Sequence, residues 1–345
     1  MKTAPASVCR LGQLSVRWRP RVAVFCGLLI LALVVLAVLL LSSGSLSLGL
    51  KDVFATLVGQ GDDAKAERIM LRIRLPRVLT AIIVGGALGM SGSIFQSISR
   101  NALGSPDIIG FTTGAATGAI VQIMLLDAGP IETSAAAVLS GALTAVAVFL
   151  LARKGRSTGD YRLVLIGIGV GATLSGINTI LLVSGDLDQA ASAQLWLAGS
   201  LNTRTWSHVV PAAIGFILVL PVVIAHARGL NLLEMGDDTA RQLGMDAERT
   251  RLLMIMAAVG LTSVATAAAG PIAFIGLAAP QLARRLSGSP DVPVMSGALM
   301  GMVLLLGADL TSQHFPLNIH MPIGLTTGLL GGVYLLWLLV RPKSF

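Results

Sequence analysis

Long apolar runs set the outer limits of what this chain can fold into. Residues 22–42 carry no charged side chain. About ten comparable runs follow in order: 22–42, 77–97, 107–126, 133–152, 161–183, 207–226, 252–269, 271–286, 293–312 and 322–340. A helix that crosses a bilayer needs about 20 mostly apolar residues, and most of these runs reach that length. The run at 271–286 is the shortest and holds two prolines. Only 12% of the chain is charged, against about 25% in soluble domains. Too few polar residues exist to coat a soluble fold of 345 residues. The expected fold is therefore all-α: a polytopic membrane protein with about ten transmembrane helices in a single domain, 1–345.

Basic residues give the expected orientation, because Lys and Arg are retained on the cytoplasmic side. With the N-terminus inside, 18 of the 25 basic residues fall on inner segments. Both termini, the tail 1–21 and the segment 229–251 are then cytoplasmic. The formal net charge of +8 reads as a topology signal, and no soluble basic face exists to take up nucleic acid. The first run follows five basic residues, yet it exceeds the ~7–15-residue core of a signal peptide, so it reads as a retained span. Cys9 and Cys26 lie in the tail and in a span, so neither a disulfide nor a metal site is expected.

Several chemistries are missing. None of the five lysines follows a glycine, which excludes a Gly-Lys-Ser/Thr phosphate loop. There is no C-x-x-C or H-x-x-x-H pair for a metal and no G-x-S-x-G turn. Ion-coupled carriers use ionisable groups inside the bilayer, and the apolar runs hold few. Asp107 opens one run and Asp309 lies near the end of another. The energy source is expected on another subunit.

Glycine is frequent, with 39 residues. Gly85/Gly89, Gly297/Gly301, Gly110/Gly114/Gly118 and Gly324/Gly328/Gly332 recur at intervals of four. Such stripes let helix backbones approach closely. A pore-lining use of some of them remains open.

Against this apolar background, nine charged residues gather between Arg228 and Arg251. Within that segment Asp237 or Asp238 is placed to cap a short helix, Asp238–Leu243. Gly236 and Gly244 suit the turns on either side, and Asp246 is placed to cap the next helix. Isolated helices below ~12–15 residues are marginal, so an element this short needs support from the bundle and from a partner. A solvated loop is the plain alternative.

The run Leu233–Gly244 resembles the cytoplasmic coupling segment of iron-siderophore (FecCD-type) ABC importer permeases. Further segments carry the same resemblance: Arg74-Leu75-Pro76-Arg77, Phe95-Gln96, Arg100–Asp107, Ala269–Leu277 with Pro280 and Arg284-Arg285, and Met321–Gly324. It covers roughly residues 45–340 and is greatest to the permease subunits for ferric enterobactin, a catecholate siderophore.

The resemblance implies a type II ABC importer permease with ten spans. It also implies a second permease subunit, a different chain as in ferric enterobactin systems or an identical one, two cytoplasmic ATPase subunits and an extracytoplasmic siderophore-binding protein. The chain itself would be a non-catalytic subunit that binds no cofactor, with ATP used by the partners. Glu234, Gly236, Asp237, Asp238, Ala240, Arg241, Leu243 and Gly244 would form the ATPase-coupling element. Arg74 and Arg77 would dock the binding protein. Ser175, Asn178, Thr179, Thr326 and Thr327 would line the path of the cargo. A same-architecture importer of cobalamin or haem, and a proton-coupled carrier working through Asp107 or Asp309, are the competing readings.

Overall fold

A computed structural model describes residues 7–11, 14–44, 49–57, 64–106, 110–154, 157–158, 160–314 and 321–340. Its elements are α1 (Pro20–Ser42), α2 (Leu50–Leu57), α3 (Ala64–Ile69), α4 (Leu75–Ile98), α5 (Phe111–Leu125), α6 (Pro130–Ala152), α7 (Asp160–Ser184) and α8 (Leu187–Leu197). They continue with α9 (Trp206–Glu234), α10 (Asp237–Gln242), α11 (Ala247–Ala269), α12 (Ile275–Ser287), α13 (Val294–Gln313) and α14 (Ile323–Val340). Two short antiparallel strand pairs, Ser7–Leu11 with Leu14–Trp18 and Arg153–Lys154 with Ser157–Thr158, are the exceptions to an otherwise helical chain.

Among the described residues, seven helices are long and apolar enough to cross a membrane: α1, the continuous run Ala64–Ile98, α6, α7, α9, α11 and α13. α5 and α14 are shorter apolar helices. The run expected at 271–286 behaves differently. Residues 270–274 are non-helical, and α12 has only 13 residues, about 20 Å at 1.5 Å per residue, against a hydrocarbon core of about 30 Å. Gly270 and Phe274 both take positive φ there, so α11 and α12 form a broken helix. Asp107 lies outside the described residues.

α4 is the hub. Its apolar window is 83% buried, against 17% for α1, α7 and α9, whose exposed apolar faces suit lipid or another subunit. Glycine makes this possible. A Cβ built on Gly85 would lie 2.5 Å from the Gly301 carbonyl oxygen of α13. One on Gly89 would overlap the Gly297 carbonyl, and one on Gly92 the Gly276 carbonyl of α12. Hydroxyls and an amide then stitch the contacts. Ser91 Oγ lies 2.8 Å from Thr262 Oγ1, Ser93 Oγ donates to Pro293 O at 3.1 Å, and Gln96 Nε2 donates to Leu277 O at 2.9 Å. Close packing also holds for Gly114 and Gly118, which face Ser140 and Thr144 or Ala136 of α6. It fails for Gly328 and Gly332, which have open space beside them.

Candidate functional site

The charged segment is less of a loop than the sequence suggests. α9 runs on to Glu234 because Leu230 and Leu233 continue its buried face. Only residues 235–246 separate α9 from α11, and α10 occupies half of them. Its boundaries are Asp237–Gln242 rather than Asp238–Leu243. Neither aspartate caps it. The N-cap is Gly236 at φ +110°, a conformation open to glycine, with no side-chain cap. At the other end Gly244 N donates to Arg241 O at 2.9 Å and Met245 N to Ala240 O at 3.1 Å. With Gly244 at φ +81°, this is a Schellman closure. Asp246 caps α11 as expected, accepting from Arg249 N at 3.0 Å.

Asp237 spends its carboxylate on the bundle. Arg251, 1% exposed, donates through Nη2 to Asp237 Oδ1 at 2.7 Å and Oδ2 at 2.9 Å, and through Nη1 to Glu248 at 3.1 Å. Arg100, in the turn after α4, donates to Asp237 Oδ1 at 2.6 Å and to Leu233 O at 3.0 Å. Burial raises the Asp237 pKa, but the Arg251 hydrogen bond and the charges of Arg251, Arg100 and Arg241 outweigh it and hold the carboxyl below its usual range. Glu234 pairs with Arg284 of α12 at 2.6 Å, and Ala240 is fully buried. Glu234, Asp237 and Ala240, expected to meet a partner, therefore face inward. The outward face consists of Asp238, whose side chain is 95% exposed and 3.8 Å from Arg241, together with Arg241, Leu243 and the neighbouring Met235. A short charged helix with apolar residues beside it, braced from behind by α9, α11 and Arg100, is suited to receiving a protein partner rather than a small molecule.

At the opposite end of the bundle a π-helical turn, Met70–Arg74, joins α3 to α4. It turns Arg74 inward, 8% exposed, where Nη1 donates to Leu41 O of α1 at 2.7 Å. Arg74 thus holds α1 and is not offered to a partner here. Arg77 forks onto Asp309 of α13, with Nη2 to Oδ1 at 2.6 Å and Nε to Oδ2 at 3.1 Å, and Nη1 reaches Asn202 at 2.7 Å. Asp309 is fully buried and also accepts from Gln313 at 3.0 Å. Arg77 stays partly exposed, and Arg68 and Arg72 are exposed. Residues 186–207 contain α8, and Trp206 donates to Leu71 O at 2.9 Å.

The path candidates divide. Ser175 and Thr179 lie exposed on the weakly packed face of α7. Asn178 is buried beside them and donates to Thr113 O of α5 at 3.4 Å, a helix-to-helix contact. Thr326 and Thr327 are buried, their hydroxyls turned back to Pro322 O and Gly324 O.

Comparison with known proteins places this arrangement. A model of the FecCD transport family matches residues 29–341. The chain belongs to the FecCD transport family. The ferric enterobactin transport system permease protein FepG of Escherichia coli (strain K12) is 46% identical over 322 residues, covering 93% of this chain and 97% of FepG. The hemin transport system permease protein HmuU of Yersinia pestis is 35% identical, covering 95% and 98%. Among solved structures, an inward-facing metal-chelate type ABC transporter superposes with a TM-score of 0.81 at 28% identity, covering 92% of this chain and 98% of that one.

In this FecCD family member, sequence reasoning missed Arg251, Arg100 and Phe274 as organising residues. Arg251 sits at the edge of an apolar run, and nothing local marks it as buried. Phe274 takes φ +79°, and Ile275 N returns to Ala273 O at 3.0 Å, a tight turn at the start of α12. Its ring fills the space beside Gly331 of α14. The only local signal was the run Gly270-Pro271 ahead of it.

Proposed function

We propose that the chain is one permease subunit of an ATP-driven importer that carries a ferric siderophore of the catecholate class across the cytoplasmic membrane. The observation that carries this reading is α10: a helix braced by Arg251, Arg100 and the Glu234–Arg284 pair, with Asp238, Arg241 and Leu243 left outward, on a chain without a phosphate loop. An ATPase subunit docks on that face and its ATP-driven closure moves the spans. The α10 end and both termini are then cytoplasmic, and α12 with its broken entry serves as the tenth membrane element. Arg77, partly exposed with its fork held by Asp309, adds its charge to the exposed Arg68 and Arg72 in a basic patch that meets carboxylates of an extracytoplasmic binding protein. Arg74 supports the surface from below.

The open face of α7, with Ser175 and Thr179, and the weakly packed α14 meet a second permease chain. The cargo passes between them along a weakly polar wall that binds without trapping. The second chain is a different permease. FepG supports the enterobactin cargo at 46% identity, and HmuU keeps hemin as the second reading at 35%.

Uptake of ferric enterobactin, ferric citrate, hemin and cobalamin is the test, run with and without the ATPase partner and with the proton gradient collapsed. Ferric enterobactin uptake that needs the ATPase and survives collapse of the gradient is the expected result. Uptake that follows the gradient and ignores the ATPase would return the reading to a proton-coupled carrier.

A further inference from the structure

α10 is too short to hold itself, and the way it is held is uneven. Its outward residues make one ion pair among themselves, whereas its first residue is gripped by a guanidinium that has almost no contact with solvent. Arg251 stands one turn into α11, on the same rigid rod that ends at Ala269. A 23-residue helix spans about 34 Å, so α11 connects the α10 end directly to the opposite face. There Ala269 O accepts Ser200 N at 2.8 Å, and two residues earlier in that loop Ala198 O accepts Gly324 N, at the start of α14, at 3.0 Å. Gly324 leaves no room between the two, since a Cβ on it would overlap the Ala198 carbonyl. An unbroken chain of short contacts therefore runs from α10 through Arg251, α11 and the 198–200 turn to α14.

Other routes out of α10 are softer. Arg100 sits in a turn at φ +47° with its guanidinium partly exposed, and Arg284 is on α12, whose far end is the break at 270–274. Arg251 Nη2 meets both oxygens of Asp237 while Nη1 reaches Glu248, so one planar guanidinium sets the orientation as well as the distance of α10 against α11, which a single point charge cannot do.

We propose that Arg251 is the positioning residue that conveys displacement of α10 into α11, and through the Ala269–Ser200 and Ala198–Gly324 contacts to the outer end of α14. This rests on the reading of α10 as the ATPase-docking element. Arg251 touches neither ATP nor cargo. Its removal disconnects ATP hydrolysis from transport without abolishing either partner's binding.

The test uses the assembled complex of both permease chains and the ATPase dimer in liposomes, supplied with binding protein and ferric enterobactin. Cargo delivered per ATP hydrolysed is compared among wild type, Arg251→Met, Arg251→Lys and Asp237→Asn. A second readout labels Leu325→Cys, on the exposed face at the start of α14, in a background with Cys9→Ser and Cys26→Ser, with and without ATP. The expected result is a fall of at least tenfold in cargo per ATP for Arg251→Met. Arg251→Lys, which keeps the charge and loses the planar two-nitrogen grip, shows a smaller fall; Arg251→Met loses the ATP-dependent change in Leu325→Cys labelling and Arg251→Lys keeps only part of it. ATPase binding of Arg251→Lys stays within about twofold, because the Arg100–Asp237 pair and buried Ala240 still hold α10.

Unchanged cargo per ATP in the assembled fraction of both Arg251 variants would overturn the proposal. So would an ATP-dependent labelling change of wild-type amplitude in either Arg251 variant. If Arg251→Met fails to assemble, Arg251→Lys and Asp237→Asn decide the matter on the same two readouts. Failure of the docking reading has a separate signature: Asp238→Arg and Leu243→Ala would then leave ATPase binding unaltered.

Discussion

Truncating Leu243 tests the docking face with little collateral damage. The residue is the C-cap of α10, and its side chain is 62% exposed. Folding of the subunit gains little from it, so Leu243→Ala should alter folded stability by no more than about 0.5 kcal/mol, as for most surface substitutions. A docked ATPase would cover the exposed part. Complete burial of a leucine side chain is worth about 1.5–3 kcal/mol, and three-fifths of that is about 1–2 kcal/mol. Each 1.4 kcal/mol is tenfold in affinity. Removing the isobutyl group should therefore raise the Kd for the ATPase subunit about tenfold, with about 5- to 30-fold as the range. The assay is association of the purified permease pair, in nanodiscs, with the ATPase subunit by interferometry, with thermal unfolding as the folding control. A Kd within twofold of wild type, with unaltered unfolding, would mean that Leu243 is not covered by the partner and that α10 docks by another face or not at all.

Three further perturbations probe the frame around the site. Gly89→Ala places a methyl against the Gly297 carbonyl at the α4–α13 crossing and should cost about 1–3 kcal/mol as overpacking. Gly328→Ala, inside α14 with open space beside it in the isolated subunit, should stabilise by up to about 1 kcal/mol in the same unfolding assay. Asp309→Asn removes the charge that Arg77 forks onto. We expect about 3 kcal/mol of destabilisation, the low end for breaking a buried pair, because Arg77 keeps some water, and uptake that remains indifferent to the proton gradient. Asp237 has a folded pKa below its unfolded value, so the unfolded state binds more protons between the two. The stability it contributes is complete above the unfolded value of about 3.9 and is lost as pH falls through the folded one. Acid unfolding of wild type should show that slope, and Asp237→Asn should lack it.

The separate elements were legible because their causes are local. Apolar runs of bilayer length announced most of the long helices, and glycines at intervals of four announced the tight crossing of α4 and α13. Asp246 as N-cap and Gly244 as the left-handed C′ residue follow from the backbone needs of helix ends, which neighbours in sequence can satisfy. The break ahead of α12 was not legible because hydropathy counts apolar residues and does not register a backbone turn at Phe274.

What the tertiary structure alone decided is which charges are spent and which are available. Glu234, Asp237, Asp238 and Arg241 look equivalent in sequence, four charged residues in one short segment. Their partners decide otherwise: Arg284 lies 50 residues from Glu234 and Arg100 lies 137 from Asp237. Arg74 and Arg77, three residues apart, are drawn to α1 and α13 respectively. A charge near a membrane bundle takes the nearest opposite charge or carbonyl that folding brings to it, since leaving it buried and unpaired is costly. Composition and local pattern determined that this chain crosses a membrane, in which order its helices run and where the short helix α10 stands. Long-range packing determined that this helix is held by Arg251 and which of its faces remains for a partner.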